Sequence, residues 1–169
     1  MTTDQPGRPP APAPTPPVAG LDPGRSKCGL VLAEPGTAQV LQAAILPPDQ
    51  ALALLADWRQ GQGLREVVLG DGTGSTTWPE PLRRQGLEPR VVEEHGTTLA
   101  ARTRYWELRH TPSWRQLLPR GMRLPPRDID DVVAQLLVER WLGRSLSRCS
   151  EAVLRQWPGP AGPRSGRAP

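Results

Sequence analysis

The chain of 169 residues has a formal net charge of +4, and 11 of its 22 prolines lie in residues 1–18 and 157–169. Segments so rich in proline bury too little apolar surface to offset the entropy of ordering, so we expect two disordered tails around one domain, residues 19–156. The apolar runs are shorter than the ~18 residues of a membrane span, and no hydrophobic signal region opens the chain. Two cysteines cannot form a disulfide framework. A cytoplasmic protein without a membrane partner is therefore expected.

The first part of the predicted domain contains three short apolar runs, Val18 to Asp22, Cys28 to Ala33 and Gln39 to Leu46. A Pro-Gly turn separates the first two runs, and a Glu-Pro-Gly turn separates the second from the third. Connections this short join neighbouring antiparallel strands. The pattern therefore predicts a three-stranded antiparallel meander.

The second part of the domain alternates between helical and strand patterns. After Pro47, apolar residues such as Leu52 and Leu55 recur at helical spacing. The predicted elements that follow this helix are strands over 64–72 and 89–94 and helices over 80–85, 97–109 and 128–143. Strands that alternate with helices extend a sheet in the parallel sense. The sequence thus predicts a mixed α/β domain with one central sheet and flanking helices.

The acidic residues of interest stand where a strand ends or a helix begins. They are Asp22, Asp71, Glu93, Glu94, Asp128, Asp130 and Asp131. Ligand crevices of α/β sheets form at strand ends, and clustered carboxylates repel one another unless a cation neutralises them. The cluster therefore favours a Mg²⁺ or Mn²⁺ site, where two ions about 4 Å apart could activate a water molecule. The alternative interpretation is that these acids occupy soluble turns or stabilise a helix dipole.

The three aspartates at the start of the last helix separate on a helical wheel. Asp130 lies on the flank of the apolar face, so its side chain can point toward the sheet, whereas Asp131 points away. Asp128 and Asp131 are then explained as caps of the helix. Alternation at the end of the fifth strand places Glu93 and Glu94 on opposite faces of the sheet, which leaves the choice between them open.

Four segments together resemble the RuvC/YqgF-type resolvases of the ribonuclease-H-like fold. The segment GLDPGRSKCGLVL resembles the first hairpin of that family, whose pattern is D-x-G-x-x-x-x-G, and VVLGDGTGS is similar to its fourth strand and glycine-rich loop. VVEEHGTTLAAR resembles the family's D-E-R segment, and IDDVVAQLLVERWL resembles its closing helix. The matches follow the family's order and span residues 19–142. The chain resembles in particular the branch of YqgF-like proteins found in cyanobacteria.

The resemblance implies a five-stranded sheet in the order 3-2-1-4-5 and cleavage of structured nucleic acid with Mg²⁺ or Mn²⁺, as two ions. It assigns catalysis and metal binding to Asp22, Glu94 and Asp130. The chain departs from the family pattern beside the second of these acids, because Glu93 replaces an Asp and His95 replaces an Arg. The accessory candidates for the site are Glu93, His95 and Asp71, an additional acid that could also simply close its turn.

Residues 102–127 form a basic segment with seven arginines and one acid, Glu107. Arginine neutralises phosphates, and the interleaved Tyr105, Trp106 and Trp114 could stack on unpaired bases. The candidate nucleic-acid contacts are Lys27, Arg102, Arg115, Arg120, Arg123 and Arg127. In the alternative interpretation, the tryptophans anchor the core or a loop, and the arginines are only solvated.

Two functions remain open from the sequence. The first is a metal-dependent endonuclease that hydrolyses phosphodiester bonds, either in a ribosomal RNA precursor or in a branched DNA such as a Holliday junction. The second is a nucleic-acid-binding protein that keeps the fold without catalysis, as the missing arginine at His95 suggests. A junction resolvase is expected to form a homodimer, whereas an RNA-processing enzyme need not.

Overall fold

A computed structural model describes residues 15–72, 74–108, 128–148 and 154–155, together with residue 125. Within these ranges the chain forms one central sheet with helices on both faces, which confirms the mixed α/β class. None of the helices in these ranges combines the length and the apolar character that a membrane crossing requires.

Five strands build the body of the sheet in the order predicted from the sequence. They are β1 (Val18–Asp22), β2 (Cys28–Glu34), β3 (Gln39–Leu46), β4 (Glu66–Gly70) and β5 (Glu88–Val92). Strands β1, β2 and β3 pair antiparallel as a meander, whereas β4 pairs in parallel with β1, and β5 in parallel with β4. The order β5-β4-β1-β2-β3 is the 3-2-1-4-5 order that the resemblance to the ribonuclease-H-like fold implies.

The sheet is wider than the five strands expected. Two strands of two residues each, β6 (Ser147–Arg148) and β7 (Leu154–Arg155), pair in parallel with β3. The prediction of a five-stranded sheet was therefore wrong at this edge. Runs of two residues carry neither the alternation nor the bounding turn signals by which a strand is recognised in a sequence.

Four α-helices connect or follow the strands of the described chain. They are α1 (Pro48–Gln62), α2 (Pro79–Arg84), α3 (Thr97–Leu108) and α4 (Asp130–Leu142), and a 3₁₀ turn (Ser75–Thr77) precedes α2. Proline stands in the first turn of α1 and of α2, where a helix does not need the missing N–H group. Gly63 and Gly143 end α1 and α4 in the left-handed conformation, with φ angles of 72° and 66°.

The apolar core has two layers, one on each face of the sheet. The first layer joins the sheet to Leu55 and Trp58 of α1 and to Leu82 of α2. The second layer joins the opposite face to Ala134 and Leu137 of α4. Helix α3 packs mainly on α4 rather than on the sheet. As a result, α4 lies between the sheet and α3 and is buried along most of its length.

Two glycines let α4 approach the sheet closely. A Cβ atom at Gly20 of β1 would collide with the carbonyl oxygen of Ala134, and one at Gly29 of β2 would collide with the backbone of Asp130. Gly29 is paired with Asp22 in the β1–β2 ladder. The first residue of α4 therefore lies against the strand pair at the position where β1 ends in Asp22.

Candidate functional site

Asp22 is the last residue of β1 and lies at the edge of the sheet where the parallel strand β4 also ends. The pKa of its carboxyl group is raised to about 7, mainly because the group is buried, and further because the charges of Asp130 and Glu94 repel another negative charge. The positive charge of Lys27 lowers the same pKa. The three acids that the family resemblance selects thus lie within electrostatic reach of one another.

Asp130 opens α4, and its charge acts on Asp22 at the end of β1. Its side chain is 28% exposed, and its Oδ2 atom is buried without a hydrogen bond. The close approach of the backbone at Gly29 fixes the position of this residue. A carboxylate oxygen that is withdrawn from water and not hydrogen-bonded is stabilised by a nearby cation.

Lys27 supplies a cation at this point. Its Nζ atom lies 2.7 Å from Oδ2 of Asp128 and 3.2 Å from Oδ2 of Asp130, so it forms an ion pair with each carboxylate. The hydrogen bond to Asp128 raises the pKa of the Lys27 ammonium group, which therefore stays charged. Lys27, a predicted nucleic-acid contact, thus binds two carboxylates of its own chain.

Glu94 lies beyond the end of β5, because the strand stops at Val92. Its carboxylate rests against the glycines that follow β4. A Cβ atom at Gly70 would lie 2.8 Å from Oε2 of Glu94, and one at Gly72 would collide with the same oxygen. Between these glycines, Asp71 accepts a hydrogen bond of 2.9 Å from the backbone N–H of Glu94. Asp71 therefore connects the end of β4 to the residue that follows β5.

The residues on either side of Glu94 are held through their backbone. The guanidinium group of Arg140 in α4 donates hydrogen bonds to the carbonyl oxygens of Glu93 and His95, the latter at 3.2 Å. Because β5 ends before these residues, strand alternation does not apply to Glu93 and Glu94. His95 stands where the family pattern has an arginine, and Arg140 brings a guanidinium group to the same loop from another element. Sequence reasoning missed Arg140.

The cap roles predicted for Asp128 and Asp131 were wrong. Ile129 occupies the N-cap position of α4, and no side-chain hydrogen bond caps the helix from that position. Asp131 is fully buried, and its Oδ2 atom accepts a hydrogen bond of 2.6 Å from Arg148 of β6. Asp128 is 54% exposed and paired with Lys27. Asp128 and Asp131 each form an ion pair with a basic side chain from another part of the chain.

Of the basic segment 102–127, the structure describes residues 102–108 and residue 125. Arg102 lies half-buried on α3. The other candidates for nucleic-acid contact in this segment lie outside the described residues: Arg115, Arg120, Arg123, Arg127 and Trp114. Their role in binding phosphate or stacking on bases stays a prediction.

Two neighbours of Arg102 stabilise the packing of α3 on α4 instead of facing a ligand. Arg104 forms ion pairs with Glu107 at 3.0 Å and with Glu139 of α4 at 2.9 Å. Tyr105 is buried in the contact between the two helices, and its ring meets that of Trp106 edge to face at 5.0 Å. The suggested stacking of Tyr105 on bases was therefore wrong, because the ring belongs to the core.

The donor set of the site suits a hard divalent cation, since carboxylate oxygens are preferred ligands of Mg²⁺ and Mn²⁺. Burial raises the pKa of the nearby Cys28 thiol to about 11, so the thiol is protonated in the metal-free chain. In the part of the chain that the structure describes, however, no three acidic, histidine or cysteine side chains converge to hold one ion. The ammonium group of Lys27 lies against Asp130, and Glu94 rests on the loop after β4. The residues fit the chemistry of a metal site, and an ion held by three of them would require a side chain to move.

No protein-family model matches the chain, and no curated protein matches its sequence. Among solved structures, the chain is similar to RuvC of T. thermophilus in complex with a Holliday junction substrate. The identity is 14%, the TM-score is 0.46, and the match covers 75% of this chain and 96% of that one. It is also similar to the large terminase nuclease of thermophilic phage G20c, with 15% identity, a TM-score of 0.48 and coverage of 74% and 81%.

Proposed function

We propose that the chain is a metal-dependent endonuclease that hydrolyses phosphodiester bonds of structured nucleic acid. The observation that carries the proposal is the position of Asp22 beside two other acids: the backbone of Asp130 packs on Gly29, the ladder partner of Asp22, and the charges of Asp130 and Glu94 both act on the Asp22 carboxyl group. Like charges gathered in a partly buried site oppose folding. Their presence together is therefore typical of a site that binds a cation.

The acids and their neighbours have separate tasks in this proposal. The ligands of Mg²⁺ or Mn²⁺ would be the carboxylates of Asp22, Glu94 and Asp130. A divalent ion, when bound, supplies positive charge that activates a water molecule and offsets the charge of the phosphate. Asp71 accepts a hydrogen bond from the backbone N–H of Glu94, and Arg140 donates hydrogen bonds to the carbonyl oxygens of Glu93 and His95. Asp71 and Arg140 are positioning residues, because they act on the substrate only through Glu94.

The substrate in this proposal is a structured RNA or a branched DNA, bound through its phosphates. Arg102 and the arginines of the basic segment that follow α3 would neutralise those phosphates. The resemblance to YqgF-like proteins favours a ribosomal RNA precursor over a Holliday junction. We place the enzyme in the cytoplasm, and we expect a homodimer if the substrate is a symmetric DNA junction.

A nucleic-acid-binding protein without catalysis is the second candidate. It is favoured by the ammonium group of Lys27, which lies 3.2 Å from Asp130 and offsets part of the negative charge of the cluster without a metal. It is also favoured by His95, which replaces the arginine of the family pattern. Both observations bear on catalysis, whereas the arginines of the basic segment would still neutralise phosphates in such a protein.

The two candidates are separated by incubating the full-length protein with four-way junction DNA and with precursor ribosomal RNA, each in Mg²⁺ and in Mn²⁺. We expect cleavage to fall roughly 100-fold in Asp22→Asn and in Asp130→Asn, since even residues that only support a metal site contribute about 10- to 100-fold. Asp57→Asn is the matched control, because Asp57 is an exposed acid in the middle of α1, outside the cluster.

Binding of the same substrates is measured in parallel by fluorescence anisotropy, so that a loss of affinity is not mistaken for a loss of chemistry. Asp22→Asn protein that binds as wild type does but no longer cleaves supports the endonuclease. Tight binding by the wild type without cleavage of either substrate in either metal overturns the endonuclease and favours the binding protein.

A further inference from the structure

We propose that Lys27 is itself a cation of the acidic site. Its ammonium group already pairs with Asp128 and Asp130, the two carboxylates that a second divalent ion would need at the start of α4, so the chain would bind one divalent ion where the family resemblance implies two. The inference rests on the proposed metal-dependent function. The inference specifies how many divalent ions the site binds and names Lys27 as the residue that determines this number.

Lys27 is held by two carboxylates at the start of α4. Its Nζ atom lies 2.7 Å from Oδ2 of Asp128 and 3.2 Å from Oδ2 of Asp130. The side chains of Lys27 and Asp130 are 37% and 28% exposed, and ion pairs that are partly withdrawn from water are less screened by salt. The same positive charge also lowers the pKa of Asp22. One ammonium group therefore acts on three acids of the cluster.

The helix dipole makes this position unfavourable for a lysine unless acids compensate. The N-terminus of a helix carries a partial positive charge, which attracts anions and repels cations. An ammonium group at the start of α4 is therefore stabilised through Asp128 and Asp130. The turn that carries Lys27 is tight, since a Cβ atom at Gly24 would collide with the carbonyl oxygen of Lys27. The backbone thus fixes the point from which the side chain reaches the two acids.

The remaining carboxylates leave a place for one further cation. Lys27 is paired with the α4 side of the cluster, whereas Asp22 at the end of β1 and Glu94 beyond β5 form the other side. Within the described ranges no three ligand side chains converge on one point. Asp22, Glu94 and Asp130 would hold one divalent ion once a side chain has moved, while Lys27 stays paired with Asp128. A second ion would have to displace the ammonium group from Asp128 and Asp130.

This arrangement gives Lys27 a direct part in holding the substrate. In a two-ion site, the second ion stabilises the oxygen atom that leaves the phosphorus. An ammonium group at the same place would donate hydrogen bonds to a phosphate oxygen and bring one positive charge instead of two. Lys27 would then both occupy a cation position and make the phosphate contact predicted for it from the sequence.

The number of bound ions is measured by titrating the full-length protein, free of nucleic acid, with Mn²⁺ and following the free ion by electron paramagnetic resonance. The wild type is expected to bind one Mn²⁺ per chain. Lys27→Met removes the charge and is expected to bind two, and Lys27→Gln repeats the test with a polar side chain. Lys27→Arg keeps the charge and is expected to bind one. Lys27→Met combined with Asp128→Asn is expected to lose the second ion.

Equal numbers of bound ions in the wild type and in the two uncharged variants, with thermal unfolding showing that all are folded, overturn the role of Lys27. If Mn²⁺ binding disappears in Asp22→Asn while the wild type cleaves nucleic acid, the metal-dependent function is supported. Only the inference about Lys27 is then wrong. If no variant binds Mn²⁺, both the inference and the metal-dependent function are wrong.

Discussion

The ionised form of Asp22 is unfavourable in the folded protein, because the side chain is buried and lies near other acids. Its pKa is raised from the ordinary value of 3.8 to about 7 by burial and then by the charges of Asp130 and Glu94. The unfolded chain releases this proton near the ordinary value, whereas the folded chain holds it until about pH 7. The folded state therefore binds more protons in this interval, and its stability falls as the pH rises through it. Below about pH 3.8, Asp22 is protonated in both the folded and the unfolded state, and it no longer lowers the stability.

Asp22→Asn is therefore expected to stabilise the metal-free protein at pH 8, by on the order of 2 kcal/mol, and to change little near pH 4. Thermal unfolding at both pH values, with a chelator present, measures the difference. Asp57→Asn replaces an exposed acid and is expected to change stability by less than about 0.5 kcal/mol at either pH. A destabilised Asp22→Asn protein at pH 8 would contradict the electrostatic account of the site.

For single residues, the sequence predicted the identity of the candidate ligands better than the residues that hold them. Strand ends and helix starts are visible in the pattern, and the acids at these places could be singled out. Arg140 could not, because its contact with His95 spans 45 residues and reaches a backbone carbonyl, which leaves no mark on the residue types. Asp71 likewise bonds the backbone N–H of Glu94, a contact that requires knowledge of how β4 and β5 lie side by side.

Among the elements, α4 sets the geometry of the site, and a glycine of β1 sets how closely α4 can lie. A Cβ atom at Gly20 would collide with the carbonyl oxygen of Ala134 and lie 2.7 Å from Cγ2 of Val138. A helix backbone cannot give way as the end of a flexible side chain can. Gly20→Ala is therefore expected to displace α4 and to lower the free energy of unfolding by about 1 to 3 kcal/mol.

Gly61→Ala is the matched control for this substitution. Gly61 belongs to α1, and no atom lies within 4 Å of the position that its Cβ atom would take. Alanine there is expected to raise the free energy of unfolding by about 0.5 to 1 kcal/mol, because glycine loses more backbone entropy in a helix. Urea unfolding of the two variants measures both values. If Gly20→Ala and Gly61→Ala change the free energy of unfolding by the same amount, the close contact between β1 and α4 is wrong.

The long elements were predictable because each buries one face, and burial leaves a period in the sequence. The strands β6 and β7 were not, because two residues are too few to show a period. The helical wheel failed at Asp131 for a related reason. A wheel identifies the side of α4 that faces the sheet, but it contains no information on a segment that returns later in the chain. Arg148, which binds Asp131, belongs to such a segment.

In the molecule as a whole, the segment after α4 joins both helices of this face to the edge of the sheet. Glu139 of α4 accepts hydrogen bonds from α3, from Gln135 and from the backbone N–H of Leu146. Arg148 donates to Gln135 and to Asp131, each at 2.6 Å, while its backbone pairs with β3. The network therefore links α3, α4 and β3. It ends on Asp131, the neighbour of the candidate ligand Asp130.

The ion pair between Asp131 and Arg148 is expected to make this link strong, because Asp131 is fully buried. Arg148→Met removes a charged hydrogen-bond donor from a buried carboxylate and is expected to lower the free energy of unfolding by about 3 to 5 kcal/mol. Adding Asp131→Asn replaces the carboxylate by a neutral amide of the same shape. The double variant is therefore expected to recover part of the loss, with a coupling energy of about 2 to 3 kcal/mol.

Urea unfolding of the wild type, the two single variants and the double variant gives this coupling energy. The pair of Glu80 and Arg84 on α2 is the control, since its side chains are 66% and 75% exposed. A double-mutant cycle on that pair is expected to give about 0.3 to 0.5 kcal/mol, because water and salt screen exposed charges. If the coupling between Asp131 and Arg148 is as small as that of the control, the charged network does not hold the returning segment, and the apolar contact of Leu146 with α4 is what fixes it.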